Sequence, residues 1–124
     1  MAATVLASRQ VPASSGMSKV EVTGTSQAMS VNTIYIANNA SLVTLTLPNT
    51  AAVGDIVAVV GKGAGKWKIA QNASEIIHFT DKDTTTGTGG SLEAVTRYDC
   101  IELMCIVTDT EWVVCSSVGN ITIV

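Results

Sequence analysis

Ile56 to Val60 is a run of five aliphatic residues, mostly β-branched, introduced by Gly54-Asp55. It is long enough for a strand and too short for a helix. Beyond Gly61, Gly63 and Gly65, Trp67, Ile69 and Gln71 alternate with Lys68 and Ala70 in period two, the pattern of a half-buried strand. Glycine accepts positive φ without steric cost. The stretch from Val53 to Gln71 therefore predicts a hairpin turning at its glycines, and the rest of the chain is expected to build on it.

Upstream, Val20 and Val22 alternate with Glu21 and Thr23 until Gly24 breaks the run. Residues 30–37 read as a strand that reverses at Asn38-Asn39, since Asn tolerates the left-handed region. Val43, Leu45 and Leu47 share one face of the next strand, with Thr44 and Thr46 on the other, and Pro48-Asn49 stops it. Downstream, Glu75 to Phe79 is a strand, and Thr80 to Ser91 is a polar loop long enough to suggest a function. From Tyr98 to Val107 both faces carry apolar residues, which predicts a central strand. A turn at 108–111 leads to a strand from Trp112, and Gly119-Asn120 to a last one at Ile121–Val124 whose apolar end is expected to be tied into a sheet. Residues 1–19 are rich in Ala and Ser without periodicity and form a leader or linker; residues 20–124 form one all-β domain, a sandwich or barrel-like protomer of jelly-roll type.

Composition adds a partner. The chain is 47% hydrophobic and only 14% charged, against about 25% charged in an ordinary soluble domain. Too few charges exist to cover a monomer, and the excess apolar character lies in aliphatics, which predicts a homo-oligomer. A net charge of −3 argues against a nucleic-acid partner, whose phosphates demand a basic face. No window holds the ~18 apolar residues of a membrane helix, so no membrane insertion is expected. The start lacks the order of a secretory signal, and Cys100, Cys105 and Cys115 are expected to be reduced thiols, both consistent with assembly in a cytoplasm. Cys100 and Cys105, five apart in one strand, point to opposite faces and cannot clip a metal together.

Several chemistries fail on spacing. Gly61 to Lys66 lacks the phosphate-loop interval, and Trp67 stands where Ser or Thr belongs. Counted from Asp81, an EF-hand loop would need Gly where Thr86 stands and Glu where Leu92 stands. His78 is the only histidine, so one chain cannot build a multi-histidine metal site. Asp55, Asp99, Glu102 and Glu111 could in principle pair for glycan cleavage, but nothing in their spacing selects a pair. No enzyme, metal or cofactor is expected. Trp112 continues an apolar face and reads as core. Trp67, between Lys66 and Lys68, suits an acidic sugar through stacking and charge; Asp81, Asp83 and Arg97 lie in the loops expected to complete a ligand surface.

Ala51 to Asp55, Gly61 to Gln71, Tyr98-Asp99, Trp112 to Ser117 and Gly119-Asn120 follow in an order that resembles the β-rich module at the C-terminal ends of phage tail fibres and tail spikes, and is similar to the terminal domains of some bacterial collagen-like adhesins. The resemblance covers about residues 27–124. It implies a homotrimer in a virion appendage, or alternatively on a bacterial surface. Such a module would bind a cell-surface saccharide or act purely as a trimerising cap, with a glycan-degrading spike as a minor alternative. Contact with other fibre or virion proteins would run through residues 1–19.

Overall fold

The computed structural model describes residues 16–124. The leader expected over 1–19 lies mostly outside the described residues. Within them the chain forms twelve strands: β1 (Ser18–Val22), β2 (Ser26–Ala28), β3 (Thr33–Ala37), β4 (Val43–Thr46), β5 (Ile56–Gly61), β6 (Trp67–Ala70), β7 (Ile76–Phe79), β8 (Lys82–Asp83), β9 (Ser91–Ala94), β10 (Cys100–Val107), β11 (Glu111–Val118) and β12 (Ile121–Ile123). They make an all-β sandwich of a seven-stranded sheet, ordered β1-β3-β5-β10-β11-β7-β8, and a five-stranded sheet, ordered β12-β9-β6-β4-β2.

The winding differs from the expected hairpins. From β1 to β6 the chain changes sheet after every strand, so β1, β3 and β5 stack parallel in one sheet while β2, β4 and β6 stack parallel in the other. β5 and β6 therefore do not pair. β5 bonds to β3 and β10, and β6 to β4 and β9. The reversal expected at Asn38-Asn39 is likewise a crossing to the opposite sheet. Period-two alternation could not reveal this, because a strand that faces its neighbour across a core shows the same in/out pattern as one that pairs with it. These parallel pairs also separate the fold from an antiparallel jelly roll.

Two expected positions hold. β5 and β6 are interior strands of their respective sheets, and β10 is central, with Ile101, Leu103 and Cys105 inward. The turn after Val107 makes a true hairpin, β10 to β11, with Asp109 at φ 64°. The apolar C-terminus is tied in as well: β12 pairs β9, and Val124 N–H donates to Ser91 O at 3.0 Å.

The core lies between the sheets. Tyr35, Val57, Val59, Leu103, Trp112 and Ile77 enter it from one side and Val43, Leu45, Trp67, Ile69 and Leu92 from the other, all buried. Each fully buried aliphatic stabilises by roughly 1.5–3 kcal/mol. Cys105 is buried and Cys100 lies on the opposite face of β10, and none of the three cysteines is in a disulfide.

The glycines between β5 and β6 serve a different end from the one predicted. The positive φ of this crossing belongs to Lys66, at 68°, and not to Gly61, Gly63 or Gly65. Gly63 and Gly65 instead let the crossing lie directly on the earlier one: a Cβ at Gly63 would fall 2.3 Å from Asn39 N, and one at Gly65 1.9 Å from Ser41 O. Gly63 N–H donates to Ala37 O and Gly65 N–H to Asn39 O, each at 2.9 Å. Gly65→Ala should lower stability by ~2 kcal/mol or more, read as a large fall in melting temperature by circular dichroism. Gly24→Ala, in open space, should leave it within about 0.5 kcal/mol. Equal melting of the two variants would refute backbone stacking as the reason for these glycines.

Candidate functional site

The sandwich places the expected ligand residues in separate regions. Trp67 is the clearest correction. Its first-residue position on β6 turns the indole inward, where it is fully buried and Nε1 donates to Asp99 O at 2.8 Å. It cannot stack on a ligand. Lys68, one residue on, points out of the five-stranded sheet, in register with Glu93 on β9 and Thr44 on β4. Asp81 and Asp83 lie at the far edge of the seven-stranded sheet, on and beside β8.

Lys66 and Arg97 do come together. Lys66 Nζ donates to Val95 O at 3.2 Å, and Arg97 Nε donates to Lys62 O at 2.9 Å, so the β5–β6 crossing and the loop before β10 form one surface. Tyr98, 66% exposed, joins them; the Arg97 guanidinium lies over its ring at 5.2 Å. Among the described residues neither Lys66 nor Arg97 is in an ion pair, while Lys62 is held by Glu21 at 3.2 Å. The aromatic of the site is thus Tyr98 rather than Trp67. Phase marks Trp67, which alternates with Ile69 and Gln71 toward the core, whereas Tyr98, expected to open the central strand, lies in the turn before β10.

Asp99 fixes this surface. Its carboxylate accepts from Val95 N–H at 3.0 Å, Thr96 N–H at 2.9 Å and the Thr96 hydroxyl. Burial alone would push the Asp99 carboxyl up, but the Thr96 hydroxyl, the two amides and nearby Lys66 hold it below the usual range. Its backbone also accepts from Gly61 N–H and from Trp67. Arg97 and Tyr98 are thereby presented on a braced turn, the rigidity a binding site requires.

The loop from Thr80 to Ser91 is only partly the exposed loop expected. It contains β8, and Thr84 and Ser91 are buried. Buried Gln71 organises it: Nε2 donates to Glu75 O, Thr85 O and Gly87 O at 2.7–2.9 Å, and Oε1 accepts from the Thr84 hydroxyl. Beside it, burial pushes the Glu75 carboxyl up, and its Oε2 has no partner.

At the far edge His78 spans three strands, with Nδ1 2.7 Å from Asp83 Oδ1 on β8 and Nε2 2.9 Å from Glu111 Oε1 on β11. Both ring nitrogens face carboxylates, an arrangement that only the imidazolium satisfies with two N–H donors. Asp83 first and Glu111 second accordingly raise the His78 pKa. Among the described residues no cluster of His, Cys, Asp and Glu is suited to hold a metal. The remaining carboxylates considered for glycan cleavage are dispersed; Asp55, for instance, is bound to Ala52 N–H at 2.9 Å and Asn32 Nδ2 at 3.2 Å. No helix among the described residues is long and apolar enough to cross a membrane. No family model and no curated protein matches the chain.

Two outcomes follow from this geometry. Trp67→Ala should cost about 3–5 kcal/mol through lost burial and a residual cavity, measured by denaturant unfolding; a stable variant would mean that the indole is not a core anchor. His78 is raised in the folded state, so its stabilisation is fully present below the unfolded value near pH 6.5 and is lost as pH rises through the folded value. Urea unfolding across pH should show the stability advantage of the native chain over His78→Gln at its greatest around pH 5–6, above the range where the carboxylates titrate, and fading at alkaline pH. A pH-independent difference would refute the charged clasp.

Proposed function

We propose that this chain is a non-enzymatic, homotrimeric terminal module of a virion appendage, of the phage tail-fibre kind, which attaches to an acidic cell-surface glycan. The observation that carries the ligand half of this reading is the exposed Tyr98 ring beside the unpaired cations of Arg97 and Lys66, on a turn locked by Asp99. A sugar ring packs on an aromatic face, and a carboxylate or sulfate accepts paired N–H donors from a guanidinium. Arg97 spends only its Nε on the protein among the hydrogen bonds of the described residues, so its terminal nitrogens remain to meet an anion.

The assembly half rests on the scarcity of charge. The same scarcity favours a second reading, a structural cap that fixes the number of chains in a fibre and binds no sugar. The Tyr98 turn supports the first reading, since a cap has no use for an exposed aromatic flanked by cations.

A glycan array carrying uronic-acid, sulfated and neutral saccharides should give binding to acidic members only. Arg97→Ala and Tyr98→Ala should each weaken it about tenfold, the ~1.4 kcal/mol expected of one charge-assisted or stacking contact, with melting unchanged. Lys68→Ala, on the other sheet, should have no effect. Binding that survives both changes would remove this site, and no binding to any saccharide would leave the cap.

A further inference from the structure

The two outer faces of the sandwich are dressed differently. Outward residues of the five-stranded sheet are Thr44, Thr46, Lys68, Glu93 and Thr122, a polar surface suited to water. The outer face of the seven-stranded sheet carries Lys19 and Glu21 on β1 and His78 on β7 at its margins, with Glu102 and Ser116 between them, but its centre is apolar: Ile34 and Ile36 on β3, Val60 on β5, Met104 on β10, and Val113 and Val118 on β11. Val60 is 40% and Val118 66% exposed. An open depression of about 230 Å³ lies among these strands, with Cys100 and Glu102 in its lining. Glu102 is the one charged side chain amid this apolar surface; its Oε1 meets only the Ser116 hydroxyl, at 3.4 Å, and its buried Oε2 has no partner. A contiguous apolar face around an unsatisfied acceptor is unusual for a surface that stays in water.

We infer that the outer face of the seven-stranded sheet is the surface through which copies of this chain assemble, an inference that rests on the homotrimer reading and gives it a location. The strands, two to eight residues long, at ~4.8 Å spacing and ~3.3 Å per residue give a flat footprint of roughly 600 Å², which a closed ring divides between two neighbours. The charges fit a closed ring. In a cyclic trimer one half of the face meets the opposite half of the next copy. The β1 margin carries Lys19 together with the Lys62–Glu21 pair, leaving a cation in excess. The opposite margin carries Asp83 and Glu111 about a single His78. Head-to-tail packing sets the basic margin against the acidic one and covers the aliphatics between them, while a donor from the neighbouring copy meets Glu102.

The test combines light scattering with thiol labelling of the full chain. The native protein should have three times the chain mass, and Val60→Lys and Val118→Lys, both at exposed positions, should reduce it to one chain mass with secondary structure retained. Thr46→Lys and Thr122→Lys, on the polar face, should leave the trimer intact. Cys100 should resist maleimide in the native assembly and become reactive on dilution into the dissociating range, a measurement that needs no substitution to fold. A native trimer that survives Val60→Lys and Val118→Lys, with Cys100 reactive throughout, would overturn this face while leaving the trimer reading in place. A native monomer with reactive Cys100 would overturn the trimer reading itself. A monomer with Cys100 protected at every dilution would assign the face to another segment of the same chain and overturn the inference.

Discussion

Close contact between crossings on the same side of the sandwich is the constraint on which this fold depends. The chain passes from one sheet to the other after each of its first five strands, so each crossing must rest on the one a full coil earlier, β5 to β6 on β3 to β4, if the strands on either side are to stay at hydrogen-bonding distance. Gly63 and Gly65 make this possible because a side chain at either would occupy the backbone of Asn39 or Ser41. With the crossings stacked, Val57 and Val59 on one sheet and Trp67 and Ile69 on the other are brought to a common core in register. The glycines thus act through distance and not through backbone conformation; the strained residue of the crossing is Lys66.

The same crossing positions the candidate site. Because β5 ends where β10 begins, the loop before β10 folds onto the crossing, and Asp99 gathers both through its carboxylate and its carbonyl. Trp67 is drawn inward as part of that junction, which leaves Tyr98, Arg97 and Lys66 as the outward groups. Core and surface are therefore coupled here: the indole that suited a sugar platform by composition is instead the brace beneath the Tyr98 turn.

A separate set of polar contacts closes the opposite edge. Gln71 joins the carbonyl of Glu75, before β7, to those of Thr85 and Gly87, after β8, and His78 ties β7, β8 and β11 through two carboxylates. A two-residue strand such as β8 has little ladder of its own, so the side-chain clasp carries much of what keeps it paired. Edge strands that are short and charged also resist unwanted pairing with other chains.

The sequence by itself determined the longer strands and the inward positions on them, since Val43/Leu45/Leu47, Trp67/Ile69 and Ile101/Leu103/Cys105 alternate with a period that only an extended chain has, while the short β2, β8 and β9 carry too few residues to show one. It also determined the β10–β11 hairpin, whose turn is local. Tertiary structure decided which strands pair, because a residue facing the core looks the same whether its neighbour in sequence lies beside it or across from it. It decided that the glycines serve approach and that Lys68 leaves the site on the other sheet, both of which follow from the crossing between sheets. It also decided the pairing of His78 with Glu111, which spans 33 residues, a separation over which composition and periodicity carry no information about proximity.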